Sequence, residues 1–160
     1  MGSAGLDSLR RPAVWANCAV SLDGRLAFAG GARAALSGPE DLARVQRLRA
    51  GSDAILVGVG TVVKDDPSLR VHWELLGETP KANPTRIVVD ASGRTPANAR
   101  VLDGSTSTII ATSERSTRTF PPHVKRLVAG ASRVDLGGLF NQLYDLGIRK
   151  LMVEGGAEVL

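Results

Sequence analysis

A series of short apolar runs, each closed by a turn signal, constrains this chain more than any other feature. Asp53-Ala-Ile-Leu-Val-Gly58 is the sharpest of them, and TRIVVD at 85–90, STIIAT at 107–112 and KLMVE at 150–154 read the same way. Runs this short, uninterrupted by polar residues, predict strands buried on both faces. VKRLVA at 124–129 is a weaker example, and VWANCAVS at 14–21 alternates with period two, as a strand with one wet face does. Between the runs lie helical patterns. Ser37-Gly-Pro-Glu40 has capping-box spacing and predicts a helix that buries Leu42, Val45 and Leu48 and ends near Gly51. Asp135 is placed to cap a second helix carrying Leu136, Leu139, Phe140, Leu143 and Leu146, closed by Gly147. Strands alternating with helices give an α/β fold, with a central, mostly parallel sheet flanked by helices.

The chain has 160 residues, enough for one domain with a hydrophobic core. Residues 1–13 read as a flexible leader and 14–160 as the domain. Leu160 stands barely one turn into a helix opened by Gly155-Gly156, so the expectation is a domain truncated at its C-terminus. Residues 65–84, with little periodicity, read as a long functional loop.

Twenty Lys and Arg against 16 Asp and Glu give a net charge of +4, which suits an anionic ligand. The basic residues are scattered and aromatics make up 4%, which argues against a nucleic-acid partner. Cys18 is the only cysteine, and with His72 and His123 it is too little for a zinc site, so no metal is expected. No stretch approaches the roughly 20 apolar residues of a membrane span, and the opening MGSAGLDSLRRPAVWA lacks the apolar h-region of a signal peptide. A cytoplasmic protein with no membrane partner is the expectation.

Three motifs carry chemistry. Gly58-Val-Gly60-Thr61 follows a strand and begins like a dinucleotide fingerprint, but Val63 stands where the third glycine belongs and Asp90 lies too far on for the ribose acid. It is either a phosphate approach to backbone N–H groups or a plain tight turn. Asp65-Asp66-Pro67 reads as a ribose clamp, a metal site or a solvated helix stop. Glu154-Gly155-Gly156, at the tip of a buried strand, lies where open α/β sheets bind ligands, unless Glu154 is a surface cap. Among the singles, Cys18 reads as a core residue, Ser21 has no adjacent base, His123 reads as a solvated loop residue, and His72 as a loop residue facing an anion.

Taken in order, Ala19-Val-Ser21-Leu-Asp23-Gly24-Arg25, Leu48-Arg49-Ala50, Asp53 to Val62, Asp65-Asp66-Pro67-Ser-Leu69 and Val153-Glu154-Gly155-Gly156 resemble the pyrimidine reductases of riboflavin biosynthesis, in the dihydrofolate-reductase-like superfamily. The resemblance runs from about Val14 to Leu160. It implies an enzyme using NADPH to reduce 2,5-diamino-6-ribosylamino-4(3H)-pyrimidinone 5′-phosphate, a small-molecule pyrimidine ribosyl phosphate, to its ribitylamino product by hydride transfer to C1′. The deaminated uracil compound is the alternative substrate. Another reductase of the same fold and a basic anion-binding or nucleic-acid-binding module are the rival readings. Carried over by position, the cofactor contacts are Ala19, Gly58, Gly60, Thr61, Asp65, Ser92, Gly155 and Gly156. The substrate contacts are Arg49, Leu69, His72 and Glu154. The resemblance marks no general acid, so the catalytic proton donor is left to water or substrate. Arg94 and Arg100, following Ser92, are the cations expected to meet a 2′-phosphate. Family chains continue past this motif with strands that complete the sheet and pair subunits, so a homodimer is the expected assembly of the full-length family.

Overall fold

The computed structural model describes residues 10–20, 22 and 38–155. Six strands, β1 (Ala13–Ala16), β2 (Ala54–Gly58), β3 (Thr85–Val89), β4 (Thr108–Thr112), β5 (Val124–Val128) and β6 (Lys150–Val153), form one sheet in the order β1-β6-β2-β3-β4-β5. Every pair is parallel. The helices are α1 (Pro39–Ala50), α2 (Val59–Asp65) and α3 (Leu136–Asp145). The chain steps outward from β2 to β5 and then returns to insert β6 between β1 and β2.

Alternation along the strands supplies two cores. Leu56, Ile87, Ala111, Leu151 and Val153 face Leu139 and Leu143 of α3. Their neighbours Ile55, Val57, Val88 and Ile110 face Val59 and Val62 of α2, with Leu69, Val101 and Leu102. Both faces are thus covered, which is why these strands are apolar throughout. Asp135 caps α3 by accepting from the N–H groups of Gly137 and Gly138, both at 3.1 Å.

Five expectations change. Cys18, read as a core residue, is exposed past the end of β1. The first strand is shorter than 14–21, because its ladder ends where β6 ends. Asn17 N–H reaches Val153 O at 2.9 Å, and the next residue of β6's path, Glu154, turns its N–H to Leu56 O of β2. Helix α1 starts at Pro39 with Gly38 at the N-cap and no side-chain cap, since proline's fixed φ sets the first turn; Ser37 lies outside the described residues. The residue α1 buries is Gln46, whereas Leu42 is 48% exposed. The segment 65–84 is not a bare loop, for it holds a 3-10 turn at Trp73–Leu76. The helix expected after Gly156 also lies outside the described residues. No helix among the described residues is long and apolar enough to cross a membrane.

A charged residue is buried within β3. Arg86 of β3 is fully buried, and its guanidinium donates to Thr108 Oγ1 (2.9 Å), Arg100 O (3.0 Å), Asp103 Oδ1 (3.0 Å) and Thr106 O (2.9 Å). It satisfies the turns that lead into β4, at the opening end of the sheet. Replacing a buried, fully bonded cation strands its acceptors, so Arg86→Leu is expected to cost about 3–5 kcal/mol in urea unfolding. Burial pushes the Asp103 carboxyl up, but bonds from the Ser105 hydroxyl and N–H and from Arg86 outweigh it and hold it at about 2. A folded value below the ordinary 3.8 gives stabilisation that is full above that pH and lost as pH falls toward 2. Acid titration of Asp103→Asn should show a shallower loss across that window than the unaltered chain.

Candidate active site

The carboxyl ends of β6 and β2 are joined beyond their ladder. Glu154 N–H donates to Leu56 O at 3.0 Å and Gly58 N–H to Gly155 O at 3.2 Å. Gly155 has φ +130°, which L side chains rarely adopt, and a Cβ there would lie 3.8 Å from Thr61 Oγ1. Gly58, Thr61 and Gly155 therefore meet at one spot. Gly60 does not share their constraint, since a Cβ on it would meet nothing within 4 Å. Asp65 ends α2 four residues after Thr61, on the same helix face about 6 Å along the axis. Its neighbour Asp66 is a structural hook: it closes α2 at φ +40° and accepts the Arg100 N–H at 2.7 Å. Gly156 lies outside the described residues.

On the other side of Glu154 stands Arg49, 105 residues earlier in the chain. Arg49 Nε and Nη2 each reach a different carboxylate oxygen of Glu154 at 2.6 Å, a two-pronged fork with side chains only 15% and 10% exposed. Arg49 Nη1 also donates to Arg70 O at 2.8 Å, which draws in the segment that follows Leu69. Leu69 is buried at φ +50°. The fork thus brings together Arg49, Glu154 and the backbone beside Leu69 and His72. The His72 imidazole itself turns elsewhere, its Nδ1 lying 3.0 Å from Glu74 Oε1. That contact, after the Glu74 backbone N–H, lowers the Glu74 pKa.

Sequence reasoning missed the role of Asp90. It is fully buried at the end of β3 and accepts from the N–H groups of Gly93 (3.0 Å), Arg94 (2.8 Å) and Thr95 (2.8 Å) and from Thr95 Oγ1 (2.7 Å). The signal was present as Asp followed by a Gly-Arg-Thr turn, the pattern of an aspartate that folds its own loop. This loop presents Ser92 to solvent. Its amides at 93–95 are spent on Asp90. Gly93, at φ +79°, is pressed so closely on Arg118 that a Cβ would fall 2.4 Å from the Arg118 Cβ. The Arg118 Cβ therefore lies against Gly93, the residue between Ser92 and Arg94 in the chain. The backbone of Arg100, by contrast, is held by Arg86 and Asp66 at the opening end of the sheet. Ala19 is exposed, three residues past the end of β1.

The sequence profile described as the RibD C-terminal domain matches residues 12–160. A 2,5-diamino-6-ribosylamino-4(3H)-pyrimidinone 5′-phosphate reductase from Methanothermobacter thermautotrophicus is 44% identical over 151 residues, covering 92% of this chain and 68% of that protein. The protein of the same name from Archaeoglobus fulgidus is 41% identical, with 94% and 73% covered. Among solved structures, a Thermotoga maritima deaminase and 5-amino-6-(5-phosphoribosylamino)uracil reductase superposes with a TM-score of 0.80 at 30% identity. The superposition spans 94% of this chain but 40% of that one. The riboflavin biosynthesis reductase Rib7 of Saccharomyces cerevisiae gives a TM-score of 0.73 at 27% identity, with 94% and 65% covered. The fold is the dihydrofolate-reductase-like one of these reductase domains.

Removing one partner of a mostly buried fork leaves the other charge uncompensated. Glu154→Gln and Arg49→Gln are each expected to lower unfolding stability by about 3 kcal/mol. The pair should be strongly non-additive, the double variant Arg49→Gln/Glu154→Gln losing less than the sum of the two single losses. Urea unfolding of the four proteins of that cycle measures it.

Proposed function

The chain belongs to the RibD C-terminal domain family, and from that premise we propose that it reduces 2,5-diamino-6-ribosylamino-4(3H)-pyrimidinone 5′-phosphate to the ribitylamino compound with NADPH. The observation that carries this reading is the meeting, across Glu154 and Gly155 at the tip of β6, of two residue sets far apart in sequence. One set, Gly58, Thr61 and Gly155, has bare backbone and a hydroxyl. The other, Arg49, Glu154 and the segment at 69–72, is charged and walled. The diaminopyrimidinone is favoured over the uracil substrate because the relatives bearing that name, at 44% and 41%, are more similar than the uracil reductase at 30%.

The residues present fit a dinucleotide. Gly155 at φ +130° offers a surface without Cβ beside the Thr61 hydroxyl, as a flat ring or a phosphate lying against backbone requires. In this reading Ala19, Gly58, Gly60, Thr61, Asp65, Gly155 and Gly156 line the cofactor, and Ser92 with Arg94 and Arg118 receives its 2′-phosphate. NADPH, when bound, supplies the hydride for C1′ of the opened sugar. The protein's own task is placement. Arg49 holds the Glu154 carboxylate rigid, and each of its oxygens keeps lone-pair capacity to accept from a ring N–H or a sugar hydroxyl. The fixed backbone at 69–72 closes the substrate side, and His72 faces the solvent from which a phosphate arrives.

Two outcomes are expected. Mixing the chain with NADPH and the pyrimidine phosphate should bleach the nicotinamide absorbance. Glu154→Gln should cut kcat/KM at least tenfold while leaving the NADPH Kd within about twofold, as loss of a charge-assisted bond on the substrate side alone predicts. Absence of bleaching in the unaltered chain refutes the activity. Separately, the ratio of NADH to NADPH Kd should exceed about tenfold, one lost charge-assisted contact or more. Arg118→Gln should shrink that ratio by weakening NADPH alone, and Arg100→Gln should leave it unchanged. Titration of intrinsic nicotinamide fluorescence reads all three.

A further inference from the structure

Helix α1 turns a polar residue inward. Gln46 is 5% exposed and is the residue of α1 that the structure buries, whereas Val45 and Leu48 beside it are only half-buried. A buried amide is retained where it makes a bond that hydrocarbon cannot make. Gln46 Oε1 accepts the His72 N–H at 2.9 Å. Three residues on, on the same helix face, Arg49 donates to Arg70 O while it holds Glu154. Between these two grips, Val71 N–H donates to Asn83 Oδ1 at 2.8 Å. Three consecutive residues, 70–72, are thus fixed by side chains rather than by any ladder. They follow Leu69, whose φ of +50° is uncommon for a leucine and is kept only where surrounding structure imposes it.

We propose that Gln46 is a positioning residue for the substrate side of the site. Through the His72 N–H it sets the segment 69–72 at a fixed height against the fork between Arg49 and Glu154. The inference rests on the reductase reading above and deepens it by assigning α1 as the anchor of the wall that the pyrimidine phosphate meets. The cofactor side, built from β2, α2 and Gly155, has no bond to Gln46 and should not respond to it.

Gln46→Met keeps length and helix preference and removes the side-chain amide, and with it the acceptor of the His72 N–H. The KM for the pyrimidine phosphate should rise about tenfold, at the upper end of what one neutral hydrogen bond supplies. The NADPH Kd should stay within about twofold of the unaltered protein, and the His72 amide should exchange faster with deuterium, as an amide that has lost its acceptor does. Asn83→Ala, which cuts the neighbouring grip from a different segment, should give the same split and keeps the test available if the helix variant fails to fold. Unaltered pyrimidine KM in both variants overturns the inference, as does an NADPH Kd that rises in step with it. Failure of the unaltered chain to turn over the pyrimidine phosphate removes the reading beneath, whereas normal turnover by both the unaltered chain and the variants removes this inference alone.

Discussion

The placement of β6 between β1 and β2 is the constraint on which the site depends. Its backbone is paired on both sides, with Val14 and Leu151 and with Ala54 and Leu151 in register. Because all six strands are parallel, every strand end that carries chemistry points to the same edge. Insertion of the last strand into the middle of that edge brings Glu154 and Gly155 alongside Gly58, which ended a strand nearly a hundred residues earlier. The point where strand order reverses is where an open α/β sheet leaves a crevice. Here that point of the edge carries an acidic residue, Glu154, followed by a glycine, Gly155.

Charge inside this fold is handled in the same way at three places. Arg86, Asp90 and the fork of Arg49 with Glu154 are all buried or nearly so, and each has its polar atoms occupied by partners of good geometry. Their tasks differ by location. Arg86 stitches turns at the opening end of the sheet, away from the ligand edge. Asp90 uses its oxygens to wind the loop that carries Ser92 and Arg94. The fork ties a helix, a strand tip and a loop together, so its cost in desolvation is offset by the geometry it enforces. A segment with two left-handed residues, Asp66 and Leu69, has little local preference for its path. It depends on grips of this kind.

The strands were legible because burial on both faces leaves a plain mark, four or five apolar residues between turn signals, and β2, β3, β4 and β6 carry it. The cap of α3 was legible because an aspartate followed by two glycines can bond their amides without help from elsewhere in the chain. Helix α1 was read correctly as a helix and incorrectly as to its buried face. Its leucines fit an apolar stripe, yet the face that meets the loop at 70–72 needs a hydrogen-bond acceptor, and no periodicity in a single helix records what the facing backbone lacks. The end of β1 was overestimated for a related reason. Alternation continues through Ser21, but a strand lasts only as long as its partner, and β6 stops at Val153.

What the sequence determined by itself was local: short buried strands, glycine positions that accept a positive φ, an aspartate that caps its own helix, and the ordered motifs of a family. What only tertiary structure decided was which distant groups meet. Arg49 and Glu154 lie 105 residues apart, Arg118 reaches Gly93 from a separate loop, and Arg100, six residues from Arg94 in the chain, is carried toward the other end of the sheet. The physical reason is that local conformational preference acts over a few residues, whereas an ion pair or a buried amide takes its partner from whatever the packing of the two cores brings within about 3 Å.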